Sequence, residues 1–132
     1  LPGGGGTQRL PRLIGIQKAL EMMLTGKTLN AFRAKKIGLI DEITDEGKLL
    51  QAALVMAKKL IHKPIVRKSK LPLSSKILES AIGRGLLFKQ VRKMAFKRSQ
   101  GNYPAIPAII DCVETSYKRG LKAGYEKELE EF

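Results

Sequence analysis

Residues able to do chemistry are few in this chain, and the richest group stands first. Gly3–Gly6 followed by Thr7-Gln8-Arg9 joins a backbone free to approach a ligand to the start of a helix. The unpaired N–H groups there suit an anion or a polarised oxygen. Taken bare, the same glycines read equally as a flexible linker. Gly26-Lys27-Thr28 has the ending of a phosphate-binding loop, but Glu21 stands where that motif requires its first glycine. The glycine run also misses the dinucleotide pattern, since Gln8 occupies the place of the last glycine. His62 is the single histidine and Cys112 the single cysteine, which excludes a His-His metal motif, a multi-Cys zinc site and an internal disulfide. His62 follows a helix end and reads as a partner for the helix dipole rather than a base. Cys112 lies beside an apolar stripe and reads as a packed thiol. Glu126, Glu128, Glu130 and Glu131 read as a solvated helix face rather than an acid/base pair. No Ser-His-Asp set and no metal site can be assembled.

The elements that would position these groups are helical. Thr7 is expected to cap a short helix carrying Leu10 and Leu13. Ile16, Ala19, Leu20, Met23 and Leu24 recur at helical spacing, closed by Gly26. Asn30 is a suitable N-cap for a helix through Lys36, with Phe32 inward and Gly38 as its stop. Leu39–Ile43 alternates imperfectly and predicts a short strand. Residues 46–61 predict a helix with Leu49, Ala53, Met56, Ala57 and Leu60 on one face. Residues 62–72, with two prolines, predict a connector. Helices are then expected at 74–82 and 85–98, the second packing Leu87, Val91, Met94 and Ala95 and showing Lys89, Arg92, Lys93, Lys97 and Arg98. Pro104 opens another helix with the stripe Ile106, Ile109, Ile110, Val113 and Tyr117, ended by Gly120. The last, Leu121 to Phe132, groups Leu121, Tyr125, Leu129 and Phe132.

The 132 residues suit one domain or part of one, and 43% hydrophobic content argues for a packed core. No apolar run is long enough for a transmembrane helix. The opening Leu-Pro-Gly, without an initiator Met, reads as a cut inside a longer protein. Residues 47–110 hold 14 Lys/Arg and one carboxylate, Glu79, so the whole net charge of +13 sits there. Such a segment attracts polyanions or forms a solvated basic face. Aromatics are 5%, Trp is absent and no RNP, KH or zinc-finger pattern occurs, so support for nucleic acid is thin.

Three motifs in order carry a family resemblance. Leu1-Pro2-Gly3-Gly4-Gly5-Gly6-Thr7-Gln8-Arg9-Leu10 resembles the loop-to-helix segment of enoyl-CoA hydratases of the crotonase family. Ala19-Leu20-Glu21-Met22-Met23-Leu24-Thr25-Gly26-Lys27 resembles that family's next helix. Ala34-Lys35-Lys36-Ile37-Gly38-Leu39-Ile40-Asp41 resembles its following Ala-x-x-x-Gly-Leu step. The likeness is clearest over residues 1–61. Beyond it, a basic helical insertion at 62–101 and the resumption at Asn102-Tyr103-Pro104-Ala105 and Ile109-Ile110-Asp111-Cys112-Val113 are similar to alpha subunits of fatty-acid beta-oxidation complexes. In those subunits a hydratase domain precedes a 3-hydroxyacyl-CoA dehydrogenase domain.

The resemblance implies a mainly α chain with at most one short strand, the helical C-terminal portion of an α/β spiral. It implies residues 1–61 as the later part of the core, 62–101 as the insertion, and 102–132 as helices leading to the dehydrogenase. It implies hydration of a 2-enoyl-CoA by two glutamates and two oxyanion-hole amides, all lying ahead of Leu1. Neither Glu21 nor Glu79 matches those positions. Gly3 matches the family glycine whose amide contacts the catalytic water, and Gly4 stands where alanine or phenylalanine is frequent. The chain alone is therefore expected to be inactive and to hold no cofactor of its own. Acyl-CoA is the implied substrate, NAD the cofactor of the dehydrogenase, and a thiolase beta subunit the partner. The implied location is cytoplasmic in a bacterium and the mitochondrial matrix in a eukaryote. The basic helix 85–98 suggests contact with anionic membrane, and apolar faces without their usual cover suggest a homo-oligomer. The rival reading is a basic helical module binding nucleic acid or anionic membrane.

Overall fold

The computed structural model describes residues 2–63 and 77–132. These residues fall into two units: one of 2–28 with 77–132, the other of 29–63. Among the described residues every regular element is helical and no strand forms.

The first unit begins with α1 (Gly6–Ile14) and α2 (Ile16–Thr25). It continues with α5 (Ala81–Ser99), α6 (Ala105–Arg119) and α7 (Leu121–Glu131). The period-3.6 stripes of α2 and α6 meet as their spacing predicts. Ile16 and Leu20 pack with Ile109, Ile110 and Val113, and α5 adds Leu87, Phe88, Val91 and Ala95. Each of these side chains except Ala95 contributes about 1.5–3 kcal/mol by leaving water. The predicted division of residues 74–98 falls elsewhere. Ser80 caps α5 by accepting the Gly83 N–H at 3.2 Å, so the helix runs unbroken through Gly83 and Gly85. Met94, expected inside, is half exposed. Residues 64–76 of the expected connector and first helical stretch lie outside the described residues.

Polar links fix the packing angles. Arg92 on α5 donates to Asp111 at 2.5 Å and to Glu114, both on α6. Arg12 on α1 donates to Ser116 at 2.7 Å and stacks over Tyr117, which Arg84 also covers. Glu79 accepts the Ile16 N–H at 2.7 Å, placing a carboxylate on one of the orphan donors that open α2.

The second unit holds α3 (Ala31–Lys36), a 3₁₀ turn (Glu46–Lys48) and α4 (Leu49–His62). Asn30 caps α3 as its type predicts, accepting the Arg33 N–H at 2.9 Å. Phe32 points outward, 77% exposed, contrary to expectation, and Ala34 is the buried residue of α3. Leu39–Ile43 forms no strand; a single extended segment needs a second one to complete its ladder. No residue of α4 is buried, and Leu50 and Ile61 stand open.

Candidate functional site

The glycine loop is a built turn. Gly4 and Gly5 both take positive φ, 63° and 81°, which only glycine adopts without strain. The Gly6 N–H closes the turn on the Gly3 carbonyl at 3.2 Å. Gly5 is the N-cap of α1, two residues earlier than expected, so Thr7 lies inside the helix rather than capping it. A glycine cap brings no side chain to the orphan donors of the first turn. That role falls to Glu128, on the far end of the chain.

Glu128 is only 6% exposed. One carboxylate oxygen accepts the Gly5 N–H at 2.6 Å. The other accepts the Thr7 N–H at 3.2 Å and the Thr7 hydroxyl. Gln8, fully buried, extends the network. Its Nε2 donates to Thr7 Oγ1 at 2.8 Å and to the Cys112 carbonyl at 3.3 Å. Among the described residues Gln8 Oε1 has no partner; turning the amide over would set that oxygen against the Cys112 carbonyl instead. The sequence reading of Glu128 as a solvated residue is therefore corrected. The buried face of α7 is Gly124 and Glu128, while Leu121, Tyr125, Leu129 and Phe132, expected to pack as a stripe, are all exposed to differing degrees.

Close approach explains the glycine in α7. A Cβ on Gly124 would overlap Gln8 and lie 2.5 Å from Ser116 Cβ, so only glycine admits α1 and α6 together. Tyr125 and Phe132 lie one turn either side of Glu128. A Cβ on Gly5 would come within 2.8 Å of the Tyr125 ring, and one on Gly3 within 2.8 Å of the Phe132 ring. Residues 125, 128 and 132 share a helix face, and that face is the floor of the loop.

Gly3 itself is exposed, and among the described residues no acceptor engages its N–H or that of Gly4. The loop thus offers amide donors to a water or an anionic oxygen. Beside it, Pro2, Met23, Leu24, Tyr103, Ile106 and Ile109 line an apolar groove of about 500 Å³. A second, larger groove of about 680 Å³ runs between α2 and α5, with Leu20, Leu24, Val91 and Ala95 at its base.

Other residues that the sequence singles out take structural places. Cys112 is completely buried; desolvation, aided by Glu131 and Glu128, pushes its thiol up to about 11. His62 closes α4 as its final residue. Glu21 pairs with Lys27 at 2.9 Å on the surface. Among the described residues no cluster of three or more His, Cys, Asp or Glu is arranged to hold a metal, and no helix is long and apolar enough to cross a membrane.

Comparison with known proteins gives two likenesses. Residues 1–98 match the sequence model of a family described as enoyl-CoA hydratase/isomerase. The whole chain is also similar to a protein of Shewanella loihica (strain ATCC BAA-1088 / PV-4), at 50% identity over 133 aligned residues. That protein is named "Fatty acid oxidation complex subunit alpha", and the chain spans 19% of its length.

Proposed function

The chain belongs to the enoyl-CoA hydratase/isomerase family, and from that premise we propose that it forms the helical C-terminal part of a hydratase domain in a beta-oxidation alpha subunit. The protein carrying it would add water across a 2-enoyl-CoA thioester. In this reading the chain supplies one wall of the thioester site. The Gly3 amide donates to the catalytic water, the turn at Gly4 and Gly5 keeps that amide clear of side chains, and the apolar groove beside Pro2 accepts hydrocarbon.

The reaction needs an acid and a base at the α and β carbons and donors for the enolate oxygen. Three carboxylates of this chain are engaged elsewhere. Glu128 is saturated by the loop, Glu79 caps α2, and Glu21 pairs with Lys27. As the family resemblance implies, we assign the reacting acids and oxyanion donors to residues ahead of Leu1. The observation that carries the proposal is the unengaged Gly3 N–H on a turn held rigid from below.

Hydration of crotonyl-CoA by the full-length protein and by the 132-residue chain, run side by side, tests it. Turnover by the first and none above background by the second is expected. Turnover by the chain alone would overturn the assignment of the acids, and inactivity of the full-length protein would overturn the reaction.

A further inference from the structure

We propose that Glu128 is a positioning residue for the hydration step, acting on the Gly3 amide through the glycine loop; the inference rests on the reading above. A cap that only satisfied the first turn of α1 could come from a local serine or aspartate, or from water. Here it comes from a carboxylate 123 residues away, nearly buried, with no cationic partner among the described residues. Burying an unpaired charge is costly unless hydrogen bonds replace its water. Three donors from Gly5 and Thr7 do so, and charge-assisted bonds of this kind are stronger and more directional than neutral ones.

The mechanical consequence falls on Gly3. Its carbonyl is tied to the Gly6 N–H, and Gly5 is tied to Glu128. Gly4, the sole residue between them, would meet nothing within 4 Å even if it carried a Cβ. The Gly3–Gly4 peptide is thereby anchored at both of its neighbours, and the Gly3 N–H, one Cα before that plane, takes its position from the placement of the Gly3 Cα. Tyr125 and Phe132, from the same face of α7, back the loop at Gly5 and Gly3. One helix face thus backs the turn at both residues and supplies its carboxylate.

The test uses the full-length protein with crotonyl-CoA. Glu128→Gln keeps the shape but offers one acceptor where two oxygens served, and its NH₂ faces a backbone donor. Misplacement of the water by a fraction of an ångström should lower kcat by ~10–100-fold with KM within ~3-fold. Thr7→Val removes the hydroxyl that donates to Glu128 and accepts from Gln8 Nε2 while keeping the backbone donor; it should lower kcat by ~3–10-fold, whereas Thr7→Ser should restore it. Should Glu128→Gln fail to fold, the Thr7 pair carries the comparison. Hydrogen exchange at residues 3–10 should quicken in the variants that lose kcat. Unchanged kcat per folded molecule, despite lowered melting temperature, would show a merely structural cap and overturn the proposal. A rise in KM matching the fall in kcat would do the same. These results with an active wild type leave the reaction standing; an inactive wild type overturns both.

Discussion

Gly124→Ala is the sharpest test of how α1, α6 and α7 are packed. On an exposed helical position the change favours alanine by about 1 kcal/mol, because glycine loses more backbone freedom on folding. At Gly124 the new methyl would meet Ser116 Cβ at 2.5 Å and the Gln8 amide closer still. Ser116 Cβ sits next to the backbone and cannot swing away, so α7 must shift or Gln8 must turn. Overpacking of this kind costs about 1–3 kcal/mol. Turning Gln8 also strands its bonds to Thr7 and Cys112, at roughly 1–3 kcal/mol for a buried donor left unpaired. Set against the propensity gain, the net is a loss of about 1–5 kcal/mol. Gly85 on α5 is the matched control, exposed and with nothing within 4 Å of an added methyl; Gly85→Ala should gain about 0.5–1 kcal/mol. Urea denaturation reads both as midpoint shifts of opposite sign at constant slope. If Gly124→Ala stabilises the protein as Gly85→Ala does, the close approach of the three helices is wrong.

Three further outcomes follow from other contacts. With its pKa held at about 11, native Cys112 should be about 0.1% thiolate at pH 8 and resist thiol reagents until the protein unfolds; rapid labelling of native protein would contradict its burial. Burial alone would raise the carboxyl pKa of Glu114, but hydrogen bonds from Lys118 and Arg92 outweigh it and hold the pKa below 4.5. That stabilisation is present above the unfolded-state pKa and is lost as pH falls through the folded one. Arg92→Met should therefore cost about 1 kcal/mol at neutral pH, discounted for an exposed guanidinium, with the gap from wild type closing below about pH 4; a gap constant from pH 7 to 3 would refute the pairing. The isolated chain, with Leu50, Ile61, Ile82 and Phe96 open, should self-associate in light scattering as concentration rises, and a strict monomer would contradict this.

The sequence made α2 and α6 legible because their apolar spacing is a local property and their partners are each other. It misread α7 for the converse reason. Ranking side chains by apolarity selects Leu121, Tyr125, Leu129 and Phe132, yet the buried positions are Gly124 and Glu128. Their burial is demanded by Gln8 and by backbone donors at Gly5 and Thr7, which leave no periodic trace. Glu128 does share a face with Tyr125 and Phe132, but the donors it satisfies lie more than 120 residues away in the chain. Phe32 and the expected strand at 39–43 failed because apolarity alone does not say which surface a short segment meets. Gly3 became a candidate only through family resemblance; what the structure adds is the turn that presents its amide and the carboxylate beneath it.

The central claim is that this chain contributes a positioned amide while the reacting acids lie ahead of Leu1. Changing each upstream carboxylate of the full-length protein to its amide, one at a time, and changing Glu21 likewise, tests it most directly through crotonyl-CoA hydration. Two upstream changes should each lower kcat by roughly 10²–10⁴-fold, the range for general acid–base groups, while Glu21→Gln leaves it within about twofold. Undiminished turnover after every upstream change, or collapse on Glu21→Gln, would contradict it.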